Sequence, residues 1–175
     1  TFFKAIPPAL TGRPNWMGTE CGTKKPSSIR PGFNGEWKTP AAYADFPDVL
    51  ECLDRGQTEH IGFVFRKDCG SICIDLDKVR DPETGEVVEW AQRVIDQFSG
   101  IAYIEISLSG RGFHIIFEGQ KADWMKGTTK KVATPDLESK FECFDEKFVV
   151  LTGNTIEGSL RNFGDGQEIF EQVYA

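Results

Sequence analysis

Apolar positions recur with two periods along this chain, and the change from one to the other marks its elements. After Gly56, Ile61-Gly62-Phe63-Val64-Phe65 and Ser71-Ile72-Cys73-Ile74-Asp75-Leu76-Asp77 are runs of strand length rich in β-branched and aromatic residues. A short polar stretch with Asp68 and Gly70 lies between them, which predicts a β-hairpin. From Val87 to Phe98 the spacing changes. Val87, Trp90, Ala91, Val94, Ile95 and Phe98 fall three and four apart, the single apolar stripe of an amphipathic helix.

Two further strands are predicted over Ile101–Ser107 and Gly112–Glu118, joined by Leu108-Ser109-Gly110-Arg111. A polar, basic connection (119–139) leads to strands at Lys140–Phe144 and Phe148–Leu151, then to Thr152-Gly153-Asn154 and a closing helix over Gln167–Tyr174. Residues 7–40 are rich in Pro, Gly, Lys and Ser and read as loop with short elements packed at Trp16 and Trp37. Thr39-Pro40 has the form of a helix N-cap and first position, with a second start at Pro47. No internal repeat is present, so the expectation is one domain over 1–175. Its class is mixed α/β (α+β), with a largely antiparallel sheet and flanking helices.

Composition adds limits. Of the 175 residues 39% are hydrophobic and 12% aromatic, enough for a packed core. The longest apolar runs, such as Phe148-Val149-Val150-Leu151, are far short of the roughly 20 residues of a membrane-spanning helix, so no membrane partner is expected. The first residue is Thr, nothing after it resembles a secretory signal, and the expectation is a domain taken from a longer protein. Five cysteines without a CxxC pair argue against a disulfide framework and against zinc, and point to a reducing cytoplasm.

A net charge of −7 speaks on its face against a nucleic-acid binder. Its distribution is uneven: residues 1–40 carry +4, 41–120 carry −8, 121–131 carry +3 and 132–175 carry −6. Lys24, Lys25 and Arg30, with Lys121, Lys126, Lys130 and Lys131, are therefore candidate phosphate contacts, and Trp16, Trp37 or Trp124 candidate stacking surfaces. Solvated loops and core tryptophans account for the same residues.

Two segments carry candidate chemistry. On a strand Ile72, Ile74 and Leu76 point one way, and Asp75 and Asp77 point the other, about 7 Å apart. Two like charges on one face of an apolar strand invite a divalent cation with oxygen ligands, Mg²⁺ or Mn²⁺, the minimal support for two-metal phosphoryl transfer. A solvated strand end explains the pair equally well. In Ser107-Leu108-Ser109-Gly110-Arg111-Gly112-Phe113-His114, Gly110 and Gly112 permit positive φ and close backbone approach, so Ser109, Arg111 and several N–H groups can converge on an anion. His114 lies on the face opposite Phe113 and Ile115, where it can donate to a phosphate oxygen or carry a proton. The alternative is a plain hairpin with a solvated histidine.

Taken together, Ile-Asp-Leu-Asp (74–77), Glu-Ile-Ser-x-Ser-Gly-x-Gly-x-His (105–114) and an acidic strand running into Val-Leu-Thr-Gly-Asn (150–154) resemble the archaeo-eukaryotic primase superfamily. The likeness is to the primase-polymerase domains of phage and plasmid replication proteins, over most of the chain and with the motifs in family order. The resemblance implies a primase-polymerase fold with an RRM-like catalytic core. It implies a template-dependent DNA primase and polymerase that transfers nucleotides to a 3′-hydroxyl, using dNTP or NTP on single-stranded DNA, in the cytoplasm of a bacterial or archaeal host.

By that resemblance Asp75, Asp77 and Glu142 hold the divalent metals. His114 contacts the incoming nucleotide, and Ser109, Arg111 and Gly112 line the same pocket. The family commonly has Arg shortly after the third acid, where this chain has Lys147, and Phe144 stands where an aromatic hydroxyl is often found. A helicase module downstream in the full-length protein is also implied. A metal-dependent nuclease with the same acids, and a non-catalytic nucleic-acid-binding module of a replication protein, are the competing readings.

Overall fold

In the computed structural model, residues 2–122, 125, 130–132 and 138–174 are described, with 130–132 as backbone only. Among the described residues nine strands form: β1 (Trp16–Thr19), β2 (Pro26–Ser27), β3 (Ile61–Phe65), β4 (Ser71–Asp77), β5 (Tyr103–Ile106), β6 (Phe113–Glu118), β7 (Lys130–Val132), β8 (Lys140–Phe144) and β9 (Lys147–Val150). The helices are α1 (Pro8–Thr11), α2 (Phe46–Asp54), α3 (Glu89–Phe98) and α4 (Gln167–Tyr174), with 3₁₀ turns at Phe2–Ala5, Pro40–Ala42 and Lys67–Cys69. The class is mixed α+β with antiparallel sheets and flanking helices, as the pattern predicts.

The chain divides into two compact units. One comprises Pro8–Phe65 and Glu146–Leu151, the other Thr1–Pro7, Arg66–Asp145 and Thr152–Ala175. The first holds a four-stranded sheet in the order β2-β1-β3-β9. All five residues of β3 are buried, and Trp16 is a core residue, with its indole N–H donating to the Leu10 carbonyl and its ring against Phe46 and Phe63. That excludes Trp16 as a base-stacking surface. Trp37 packs on the core of this unit and carries the Lys38 ammonium 5.3 Å over its ring.

The second unit holds a five-stranded antiparallel sheet in the order β5-β6-β4-β8-β7. Its apolar face is the one the alternation predicts: Ile72, Ile74 and Leu76, with Ile104, Phe113, Ile115, Phe117, Phe141 and Cys143. α3 covers that face with Ala91, Val94, Ile95 and Phe98, and α4 adds Phe170 and Tyr174. Phe98 stacks on Phe117 with ring centroids 4.8 Å apart. Fully burying each large side chain contributes about 1.5–3 kcal/mol.

The structure corrects one expected pairing. Strands 61–65 and 71–77 form no hairpin: β3 pairs with β1 and β9, and β4 with β6 and β8. The link between them holds the 3₁₀ turn and Gly70 at φ 67°, and both edges of each strand are satisfied by partners distant in sequence. β7 is a strand inside the segment expected as connection; it forms by laddering onto β8. The helix predicted from Val87 begins at Glu89, because Val87 is bridged to Arg80. No helix among the described residues is long and apolar enough to cross a membrane.

Candidate active site

The register of the five-stranded sheet lines up chemistry that the sequence spreads over 68 positions, from Asp75 to Glu142. Glu105 lies opposite His114, His114 opposite Asp75, and Asp75 opposite Glu142. Directly opposed residues share a face with Cβ atoms about 5 Å apart, so these four form one row across four strands. Asp77, two residues beyond Asp75, is on the same face opposite Lys140. Asp75, Asp77 and Glu142 are each half-buried.

His114 is not a solvated residue. It is 7% exposed, Nδ1 lies 2.8 Å from Glu105 Oε1, and Nε2 lies 3.8 Å from Asp75 Oδ1. Glu105 is fully buried and receives further donors from Tyr103 Oη (2.7 Å), the Thr152 N–H (3.1 Å) and the Gly153 N–H (2.9 Å). Burial and the adjacent Glu105 carboxylate push the Tyr103 hydroxyl far above its ordinary pKa, so it stays a donor. Thr152 Oγ1 donates to the Ile106 carbonyl, and Asn154 accepts from the Ile106 N–H, which seats this segment along β5.

The glycine-flanked turn sits beside the row, at the Asp77 end of β4. Gly110 uses its freedom as positive φ (73°), whereas Gly112 uses it as close approach, since a Cβ there would lie 2.1 Å from the Leu76 carbonyl oxygen. The Arg111 carbonyl accepts from the Val79 and Arg80 N–H groups, and Arg80 Nη1 donates to the Gly110 carbonyl. The turn is thus fixed to the chain immediately after Asp77, where Lys78 has φ 58°, the one positive value of a non-glycine residue among those described. Ser109 Oγ accepts from the Arg111 N–H and lies 3.3 Å from Ser107 Oγ. Arg111 is exposed and near Asp81, whose carboxyl is held below its usual range by the Thr84 and Glu83 N–H groups, with Arg111 and Arg80 adding to the effect.

Lys147 begins β9, paired with Phe65 in the other unit. Lys24, Lys25 and Arg30 are exposed in that unit, and Arg30 donates to the Tyr43 carbonyl. Lys130 and Lys131 begin β7, and Lys126 and Trp124 lie outside the described residues. Cys73 is buried, and none of the five cysteines is in a disulfide.

Among the described residues no three His, Cys, Asp or Glu side chains converge on one metal position. Two carboxylates suffice for Mg²⁺ or Mn²⁺ when substrate phosphates and water complete the shell. Asp75 beside Asp77 along β4, and Asp75 across from Glu142, supply such oxygen pairs, so the residues present fit a divalent cation. They do not resemble a soft zinc site.

The chain is similar to a DNA primase-polymerase. This relative, from Nitratiruptor phage NrS-1, is 30% identical over 153 residues, which is 86% of this chain. The chain spans about a fifth of the length of the relative it matches (20%). The likeness supports the primase-polymerase family for this chain, in line with the motif order 74–77, 105–114 and 150–154. No family model matches.

Glu105 is the residue that sequence reasoning passed over. It stands inside the quoted motif, yet a glutamate on the face opposite a strand's apolar side reads as solvent-facing. The available signal was Tyr103 two positions before it on the same face.

Proposed function

We propose that residues 1–175 form a nucleotidyltransferase domain of the primase-polymerase type, extending and initiating DNA on a single-stranded template. The observation that carries this reading is the row His114, Asp75 and Glu142 across β6, β4 and β8, with Asp77 and the Ser109–Gly112 turn beside it at the C-terminal end of β4. Its similarity to a phage DNA primase-polymerase supports the same class.

In this reading Asp75, Asp77 and Glu142 hold the divalent cations, Mg²⁺ or Mn²⁺. When bound, these supply positive charge that lowers the pKa of a 3′-hydroxyl and balances charge on the leaving pyrophosphate. The chain's own part is positioning. The Ser109–Gly112 turn offers N–H groups, a hydroxyl and the Arg111 guanidinium to the triphosphate. His114 Nε2 faces the acid row and contacts a phosphate oxygen. Lys24, Lys25 and Arg30 supply template contacts; the side chains of Lys130 and Lys131 lie outside the described residues. Fixing donors in advance where charge develops is the main source of rate in such transfers.

The deciding experiment incubates the purified chain with labelled dNTP or NTP, Mg²⁺ or Mn²⁺ and single-stranded DNA, with and without a primer. Products longer than the primer, or new short products without one, are expected. Shortened DNA with no incorporation would establish the nuclease reading instead, and neither product, with no nucleotide bound, the non-catalytic one.

A further inference from the structure

A buried glutamate that accepts four donors, one of them the histidine of the acid row, has more to do than hold two strands together. Glu105 Oε1 receives His114 Nδ1 and the Thr152 N–H; Oε2 receives the Tyr103 hydroxyl and the N–H groups of Thr152 and Gly153. With both oxygens acting as acceptors, the proton between Glu105 and His114 belongs on Nδ1. Holding that nitrogen fixes the plane of the ring and leaves Nε2 as the only ring nitrogen facing Asp75.

We propose that Glu105 is a positioning residue: it clamps His114 through Nδ1, ties that clamp to the Thr152-Gly153 turn, and so presents Nε2 to a phosphate of the bound nucleotide. The nucleotide part rests on the nucleotidyltransferase reading; the clamp does not. The same arrangement accounts for the Thr-Gly of the 150–154 motif, 47 and 48 residues from Glu105, as the two backbone donors that hold its carboxylate. A carboxylate behind a functional histidine sets which nitrogen bears the proton and how the ring is aimed, and its loss typically costs about 10–100-fold in affinity or activity.

The chain has only two histidines, His60 and His114, so ¹⁵N-histidine labelling reads the clamp directly, with a His60→Gln variant for assignment. The expected result in the wild-type chain is a proton on His114 Nδ1 that exchanges with water more slowly than any ring proton of His60. A bare Nδ1, or a proton that exchanges as fast as those of His60, overturns the proposal. This reading needs no glutamate variant to fold.

Kinetics give the second arm. Glu105→Gln is expected to raise the nucleotide KM about 10–100-fold and to change kcat by less than about threefold. In a His114→Ala background the same substitution is expected to add less than about twofold, because its target is already gone. Effects that multiply in the double variant would mark a general structural role and overturn the proposal. An active wild type without the sheltered Nδ1 proton defeats the clamp alone. A sheltered proton in a chain that incorporates no nucleotide defeats the proposed function alone.

Discussion

The two faces of the five-stranded sheet use the same strands for opposite ends. One face is uniformly apolar, closed by α3 and α4, and each side chain on it is explained by burial. The other face carries Glu105, His114, Asp75, Glu142 and Asp77, an arrangement that stability does not ask for, since like charges opposite one another across a sheet are unfavourable. Within this polar face the acids divide again. Glu105 is sealed and saturated with donors, while Asp75 and Asp77 remain half-exposed and open to a ligand. A sheet of this kind can lose function from one face and stability from the other, and substitutions should separate the two.

The largest separation is expected from Asp75→Asn and Asp77→Asn. Each should lower nucleotide incorporation by about 10⁴-fold or more, equivalent to ~5.5 kcal/mol of transition-state stabilisation, with thermal unfolding unchanged or slightly raised. Incorporation at near wild-type rate in either variant would remove the acid pair from the site. On the apolar face Phe98→Ala should cost about 3–5 kcal/mol of stability, read by denaturant unfolding, with kcat per folded molecule retained.

A smaller effect tests the junction of the two faces. Gly112→Ala drives a methyl group into the Leu76 carbonyl beside Asp77, so it should cost about 1–3 kcal/mol and raise the nucleotide KM, while Ser109→Ala at the exposed tip leaves stability unchanged. An unaltered KM in Gly112→Ala would uncouple the turn from nucleotide binding.

The mildest is a pH effect. Tyr103 is harder to ionise in the fold than in the unfolded chain, so the folded state holds the proton more tightly. Its contribution is fully present below about pH 10 and declines as pH rises beyond that, by at most ~1.4 kcal/mol per pH unit. Tyr103→Phe should flatten this alkaline limb; an unchanged limb would assign it to other groups.

Much of this was readable from period alone. β8 (Lys140–Phe144) and α4 (Gln167–Tyr174) occupy the predicted residues, because an alternating or three-four pattern reflects a face buried locally. Partner choice was not readable. β3 and β4 are separated by a link short enough for a hairpin, and only distant strands decide that they join different sheets. β7 has no alternation to betray it and exists through its ladder with β8. At the site, Asp75, Asp77 and His114 stood out as polar residues on apolar strands. Glu105 did not, because what makes it unusual is the convergence of amides 47 and 48 residues away, which leaves no mark on local pattern.

The pairing of β3 with β9 also bears on how the chain is made. Phe65 pairs with Lys147, 82 residues later, so the four-stranded sheet lacks its last strand until residues 147–150 have left the ribosome. At about 5–20 residues per second the apolar edge of Ile61–Phe65 is open for on the order of 4–16 s. A nascent chain stalled before Lys147 should therefore need a chaperone to stay in solution.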